Sequence, residues 1–237
     1  MSGGGNVGGN VGLAPRHFDA LAPESRDLVA AFAGRAWAAD FYLAGSAALA
    51  LYLAHRPVRG LDLMAGGNRL RSPERRDLLA DLLDLDPGVR VETARDGYLH
   101  VRFPGGVDGV GVKLFHYPYP PIAPLADAAG FAVASPHDLG LMKLAAIISR
   151  GTKRDFADLH LLTRHLPLAD LLARSPEKFA HVRDFPLQAL KGLADLDQAA
   201  GEPMPRLAAQ LAWEDVVAWV EGEVRALARG AVGLASE

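Results

Sequence analysis

The chain has 237 residues, half of them hydrophobic, and a formal net charge of −3. That length buries one large core or two small ones that share a face, and the mildly acidic balance excludes a global positive field while leaving local basic patches open. With no cysteine in the chain, disulfides, thiolate chemistry and Cys-ligated zinc are all excluded.

Met1–Gly12 is rich in Gly and Asn and cannot bury enough surface to offset its ordering entropy, so residues 1–14 are expected to form a disordered tail. A helical pattern opens at Pro23-Glu24-Ser25 and runs to about Ala39, with Leu28, Val29, Phe32 and Ala36 at helical spacing. Phe41–Leu43 is a short strand, Gly45-Ser46 a turn, and Ala47–Ala54, helix formers throughout, a buried helix. Leu61–Met64 is a second strand. Ser72-Pro73-Glu74 pairs an N-cap with Pro at the first helical position, and its helix runs to about Leu85. Val89–Ala94, Leu99–Phe103 and Val110–Phe115 are three further strands, with Asp96-Gly97 a hairpin signal between the first two. Tyr117-Pro118-Tyr119-Pro120-Pro121 ends this meander, because proline cannot donate to a central ladder.

From Ser135 the chain reads as helical. Ser135-Pro136-His137-Asp138 is a capping box, Leu139–Ile148 the helix behind it, and Gly151 its stop. Lys153–Arg164, Leu168–Ala173, Pro176–Val182 and Leu187–Leu196 follow, and a last helix is expected over about Pro205–Ala228, with Leu207, Leu211, Val216, Trp219, Val220 and Val224 facing the core. An α/β half at 15–130 therefore precedes an all-helical half at 131–237. The longest apolar stretch, Phe41–Ala54, is broken by Gly45 and Ser46, short of the roughly 20 residues a membrane span needs. No basic segment followed by an apolar core marks a secretory signal, so a cytoplasmic location without a membrane partner is the expectation.

Three places carry candidate chemistry. At Leu43-Ala44-Gly45-Ser46 a strand runs into a helix start. Gly admits a close phosphate, Ser adds a hydroxyl, and free N–H groups face the same point, although simple helix capping looks the same. Asp62 sits between Leu61 and Leu63, 16 residues beyond Ser46. It reads either as a hard-cation ligand for Mg²⁺ or as a solvent-facing acid on a half-buried strand. Lys143 and Arg150 share one helical face, and Lys153, Arg154, Asp155 and Asp158 follow Gly151. This corner reads as a holder of triphosphate or an RNA backbone, its two acids orienting the cations or doing acid/base work, or else as an ion-pair network between helices. Asp84-Leu85-Asp86 has the spacing of a metal pair but stands at a helix end beside Pro87, where a solvated turn is the simpler reading.

The stretches Phe41 to Arg56 and Ala134 to Leu159, with Tyr117-Pro118-Tyr119-Pro120 between them, resemble the AbiEii/AbiGii-like nucleotidyltransferases, relatives of the minimal nucleotidyltransferases in the DNA polymerase β-like superfamily. The likeness spans about Phe41–Leu162, half the chain. It implies an α+β fold: a polymerase β-type nucleotidyltransferase core, a mixed sheet with flanking helices, followed by an all-helical C-terminal region. It implies transfer of an NMP from an NTP to RNA (tRNA among the candidates) or protein, with Mg²⁺ as cofactor. Under it Asp62, Lys143, Asp155 and Asp158 are catalytic, Gly45, Ser46, Arg150, Lys153 and Arg154 bind the nucleotide, and Asp62 holds metal. A toxin–antitoxin or phage-defence role with a cognate antitoxin protein is also implied. In that superfamily an Asp-x-Asp pair on one strand and a third carboxylate on a neighbour hold the metals. Here Gly60 stands in place of the first aspartate, and Val110–Tyr117 carries Lys113 and no acid. Magnesium is then weakly held and transfer slow or absent, with nucleotide or RNA binding retained; a catalytically silent binding relative is the alternative.

Overall fold

The computed structural model describes residues 13–234, so the tail expected at 1–14 lies outside the described residues as far as residue 12. Period-two patterning organises the sheet. On β2 (Leu61–Ala65), Leu61, Leu63 and Ala65 are buried while Asp62 and Met64 face the other way. β4 (Tyr98–Phe103) buries Leu99, Val101 and Phe103, and β5 (Val110–His116) buries Val110, Val112 and Leu114. With β1 (Tyr42–Ala44), β3 (Arg90–Arg95), β6 (Ala126–Ala128) and β7 (Phe131–Val133), these form one seven-stranded sheet in the order β3-β4-β5-β2-β1-β7-β6. β2–β5 and β1–β7 are parallel pairs; the others are antiparallel. The mixed sheet with flanking helices is the architecture the resemblance implied.

The hairpin β6–β7 is not legible in the sequence. Its strands are three residues long, and its two-residue turn is Ala129-Gly130, both at positive φ (55° and 82°). Such a turn is usually signalled by Asn-Gly or Asp-Gly, and Ala129 lacks the local hydrogen bonding that makes that conformation easy. This hairpin also carries the boundary placed at 130/131, so β7 joins the sheet of the first half. One continuous core runs from Ala20 to Val220 through both halves.

The first helix, α1 (Pro23–Ala33), is shorter than expected, and Ala36–Asp40 forms a separate 3₁₀ turn after Gly34. α2 (Gly45–Leu53) starts directly from β1 and is buried along most of its length. α3 spans Ser72–Leu85. α4 (Pro136–Ser149) is capped by Ser135, whose Oγ accepts the Asp138 N–H, and packs against α2, α5 (Lys153–Thr163), α6 (Leu168–Lys178) and α7 (Phe185–Ala194). Where the sequence suggests a break before Pro176, α6 runs straight through it. Pro176 has no N–H for the Leu172 carbonyl, and the Ser175 hydroxyl donates to that carbonyl instead at 2.7 Å. A short α8 (Asp197–Ala200) precedes α9, which spans Trp213–Leu234 rather than starting at Pro205. Residues 201–212 form neither helix nor strand instead. The prolines at 203 and 205 disfavour helix before them, and the segment is pinned by the Lys153 N–H on Glu202 Oε2 (3.0 Å) and the Ala208 N–H on the His55 carbonyl (2.8 Å). Val216 and Val220 are buried as expected, with Leu211, Trp219 and Val224 packed at the margin of the core. Among the described residues no helix is long and apolar enough to cross a membrane.

One buried ion pair fastens the Tyr-Pro segment to the helices. Lys178 and Asp138, 0% and 1% exposed, meet at 2.7 Å. Lys178 also donates to the Pro120 carbonyl (3.0 Å), its ammonium lies over the Tyr117 ring, and Asp138 accepts the Ile122 N–H (3.1 Å). Removing one partner strands the other charge in dry packing. Lys178→Met is therefore expected to cost about 3–5 kcal/mol in urea unfolding, and the double replacement Lys178→Met/Asp138→Leu to recover much of that loss.

Candidate active site

The passage from β1 to α2 needs Gly45 for two reasons. Its φ is +61°, and a side chain there would collide with the Asp62 carboxylate, which the β1–β2 register sets opposite Ala44. The next residue, Ser46, turns toward the helical half. Its Oγ donates to Asp158 Oδ2 (3.0 Å) and accepts from Lys143 Nζ (3.3 Å).

Asp158 is wholly buried and gathers four groups: Ser46, His55 Nε2 (2.9 Å), Arg56 through Nε and Nη2 (2.8 and 3.1 Å), and Lys143 Nζ (2.7 Å). Asp155, equally buried, accepts from Lys143 (3.1 Å), from Arg150 Nε and Nη2 (2.8 and 3.0 Å) and from Thr152 Oγ1 (2.6 Å). Lys143 thus donates to Asp155 and Ser46 and forms an ion pair with Asp158. Burial pushes the Asp155 carboxyl up, but the Arg150 hydrogen bonds, the Lys143 charge and the Thr152 hydroxyl outweigh it and hold it at about 2. Burial acts the same way on Asp158, and Lys143, His55 and Arg56 hold it well below the usual carboxylate range. Both carboxylates are charged and saturated with donors. Together they hold Ser46, Lys143 and Arg150 in place.

Asp62 stands differently. Among the described residues no side-chain hydrogen bond or ion pair reaches its carboxylate. Burial pushes its carboxyl up, and Lys113, Lys143, Arg150 and His100 oppose this without cancelling it. With Ser46 it lines a cleft of about 630 Å³ whose walls bring in Lys113, Arg150, Arg154 and the strap Glu202–Arg206. Four cationic side chains and two carboxylates therefore face this space. Arg150 keeps 61% of its side chain exposed although two of its nitrogens are bound to Asp155, so its remaining donors are open to the cleft.

Of the residues singled out in the sequence, Gly45, Ser46, Asp62, Lys143, Arg150, Arg154, Asp155 and Asp158 come together here. Lys153 does not line the cleft; its ammonium lies 5.0 Å from the Trp213 ring centre, nine-tenths buried under α9. Asp84, Asp86 and Asp108 do not line it either; Asp86 Oδ1 caps the Gly88 N–H at 2.8 Å, as a turn residue does. Reading the sequence missed His55 and Arg56 as anchors of Asp158, and Glu202 and Arg206 as cleft residues. The signal for the first two was present: a polar pair closing an apolar helix must find a buried counter-charge. The strap carried no signal, because its place depends on where α9 begins.

The residues present do not fit a two-metal centre. Position 60 is glycine, and the β2–β5 register sets Lys113 directly beside Asp62. Among the described residues no three His, Asp or Glu side chains converge as a metal-holding group. One carboxylate flanked by a lysine is a poor match for an ion that sheds its water reluctantly.

The profile of the family described as nucleotidyl transferase AbiEii toxin, type IV TA system, matches residues 26–218. No curated protein sequence matches the chain. Among solved structures, a candidate nucleotidyltransferase from H. pylori is similar with a TM-score of 0.56 at 18% identity, covering 89% of this chain and 94% of that one. JHP933 from Helicobacter pylori follows with a TM-score of 0.49 at 15% identity, over 90% and 94% of the two chains. An antigenic nucleotidyltransferase-like protein from Paracoccidioides brasiliensis has a TM-score of 0.42 at 18% identity, over 77% and 94%. At 18% identity the first of these likenesses is one of fold.

Two stability outcomes separate the holding acids from Asp62. Asp155 and Asp158 have folded-state pKa values below the unfolded one, so their contribution is complete above about pH 5 and drains away in acid, for Asp155 as pH falls toward about 2. Asp158→Asn is expected to cost about 3–5 kcal/mol at neutral pH and to flatten that acid limb in denaturant titrations. Asp62 has a raised pKa, so its ionised form weakens the fold above the unfolded value. Asp62→Asn is expected to raise the melting midpoint by about 2–4 °C at neutral pH, with the gain gone below about pH 4; a lower midpoint at neutral pH would mark Asp62 as a structural group.

Proposed function

Since the chain belongs to the AbiEii nucleotidyltransferase toxin family, we propose that its cleft binds a nucleoside triphosphate through its own cations, and that NMP transfer to an RNA or protein acceptor is slow or absent. The observation that carries this reading is the row Asp62–Lys113–His100 across β2, β5 and β4. It puts a lysine where metal-dependent transfer wants another carboxylate. The rest of the cleft suits phosphate. The N-terminal turn of α2 presents backbone N–H groups beside Gly45, with the Ser46 hydroxyl already committed to Asp158. Arg150, Arg154 and Arg206 face the same space, and guanidinium forks match phosphate oxygens. Lys143, fully engaged with Asp155, Asp158 and Ser46, acts as a positioning residue that fixes the Ser46 hydroxyl. A cognate antitoxin protein is the partner that family membership implies.

The direct test incubates the protein with each labelled NTP, Mg²⁺ or Mn²⁺ and total tRNA, beside Asp62→Ala. Little or no label transfer is expected, with NTP-dependent thermal stabilisation retained by wild type and lost in Arg150→Met. Brisk transfer abolished by Asp62→Ala would replace this reading with an active enzyme. A Cβ at Gly60 would meet the Gly111 carbonyl at an ordinary 3.5 Å, so the two missing acids can be rebuilt. Transfer gained by Gly60→Asp/Lys113→Asp is the expected sign of a site that lost its metal ligands.

A further inference from the structure

The face of the sheet that carries Asp62 does not end at the cleft. Registered pairs continue it outward from β5 over β4 to the edge strand β3. Lys113 is followed by His100 and Thr93, Gly111 by Arg102 and Arg90, and Phe115 by Tyr98 and Arg95. Lys113, Arg90 and Arg95 are exposed, and Tyr98, His100 and Phe115 are half-buried. Arg95 lies over the Tyr98 ring at 5.0 Å, and Tyr98 and Phe115 pack with centroids 5.1 Å apart. Glu92 shares the face and is paired with Arg102 at 2.7 Å, which leaves Lys113, Arg90 and Arg95 as its open cations. The chain as a whole carries a net charge of −3, so this run of cations and aromatic rings is a local segregation of charge.

We propose that this sheet face binds single-stranded RNA, with one end of the strand at the cleft. Separated cations match a phosphodiester backbone, and aromatic rings between them offer stacking surfaces that suit any base. From β2 to β3 the face crosses three strand spacings, about 14 Å, room for two or three nucleotides on a sheet. The neutral groups between the cations, Thr93 and the Tyr98 hydroxyl, can reach ribose 2′-hydroxyls, which selects RNA over DNA. Beside Asp62 the backbone at Gly60 carries no side chain and a Cβ there would meet only the Gly111 carbonyl, while the His100 ring lies over Gly111, so the strand enters the cleft along Gly60 and past His100. The inference rests on the nucleotide reading of the cleft for where the strand ends, and not for the binding itself.

Fluorescence anisotropy with a labelled oligouridylate, read between about 50 and about 200 mM salt, tests it. Arg90→Ser/Arg95→Ser is expected to bind at least about tenfold more weakly, with the log–log salt slope reduced by about 1. Tyr98→Leu is expected to lose affinity with the slope unchanged, as a stacking contact does. Arg26→Ser/Arg76→Ser, on exposed positions of α1 and α3, changes the net charge equally and should bind as wild type does. Wild-type affinity in Arg90→Ser/Arg95→Ser, an equal loss in the Arg26/Arg76 variant, or no binding by wild type at low salt would overturn the proposal. Equal affinity for oligodeoxythymidylate would overturn the choice of RNA. NTP-dependent stabilisation, measured on the same samples, should survive in every one of these variants. Its absence from wild type would sink the cleft reading while leaving the RNA result to stand alone.

Discussion

A buried carboxylate with four donors around it, Asp158 on α5, ties the two halves of the molecule together. It draws Ser46 from the head of α2, His55 and Arg56 from beyond its tail, and Lys143 from α4 to one point. An ionised acid out of water is costly by several kcal/mol, so it is tolerated only with every lone pair answered. That requirement sets the distance between α2, α4 and α5, and with it the position of the Gly45-Ser46 turn relative to Arg150. The two-helix corner is thus an ion-pair network that holds the helices, and Arg150 in its cleft-facing wall is held by that network.

The same principle makes Asp62 conspicuous. It is the cleft carboxylate that the fold leaves without a partner among the described side chains, packed against Gly45 with Lys113 beside it. A group kept in such a place weakens the native state, which is what a ligand-facing site does. Its neighbours decide which ligand. Glycine at 60 and lysine at 113 suit an anion better than a divalent cation, and the proposed phosphate binding at the α2 N-terminus draws on the same charge.

Strand alternation was legible wherever one face is buried: β2, β4 and β5 fall within a residue or two of their expected limits, because Leu61, Leu63, Val112 and Leu114 have one way to face the core. The capping box at Ser135 was legible for the same local reason. What escaped was set at a distance. The Ala129-Gly130 turn holds its shape because β7 is recruited by β1. Pro176 passes inside α6 because Ser175 replaces the missing donor. The strap at 202–206 lies across the cleft because Lys153 and His55 offer it backbone partners. Of the candidate site, the turn, Asp62 and the Lys143–Asp158 block were visible as residues, whereas the pairing of Asp158 with His55 and Arg56 needed the two halves folded together.

Equilibrium binding of a nucleoside triphosphate in excess chelator probes most directly whether this cleft holds phosphate by its own cations. Titration calorimetry of the wild-type protein, with and without chelator, is expected to give closely similar affinity in both, and a large loss in Arg150→Met. Affinity that vanishes when divalent ions are removed would contradict it, and would return Asp62 to the role of a metal ligand.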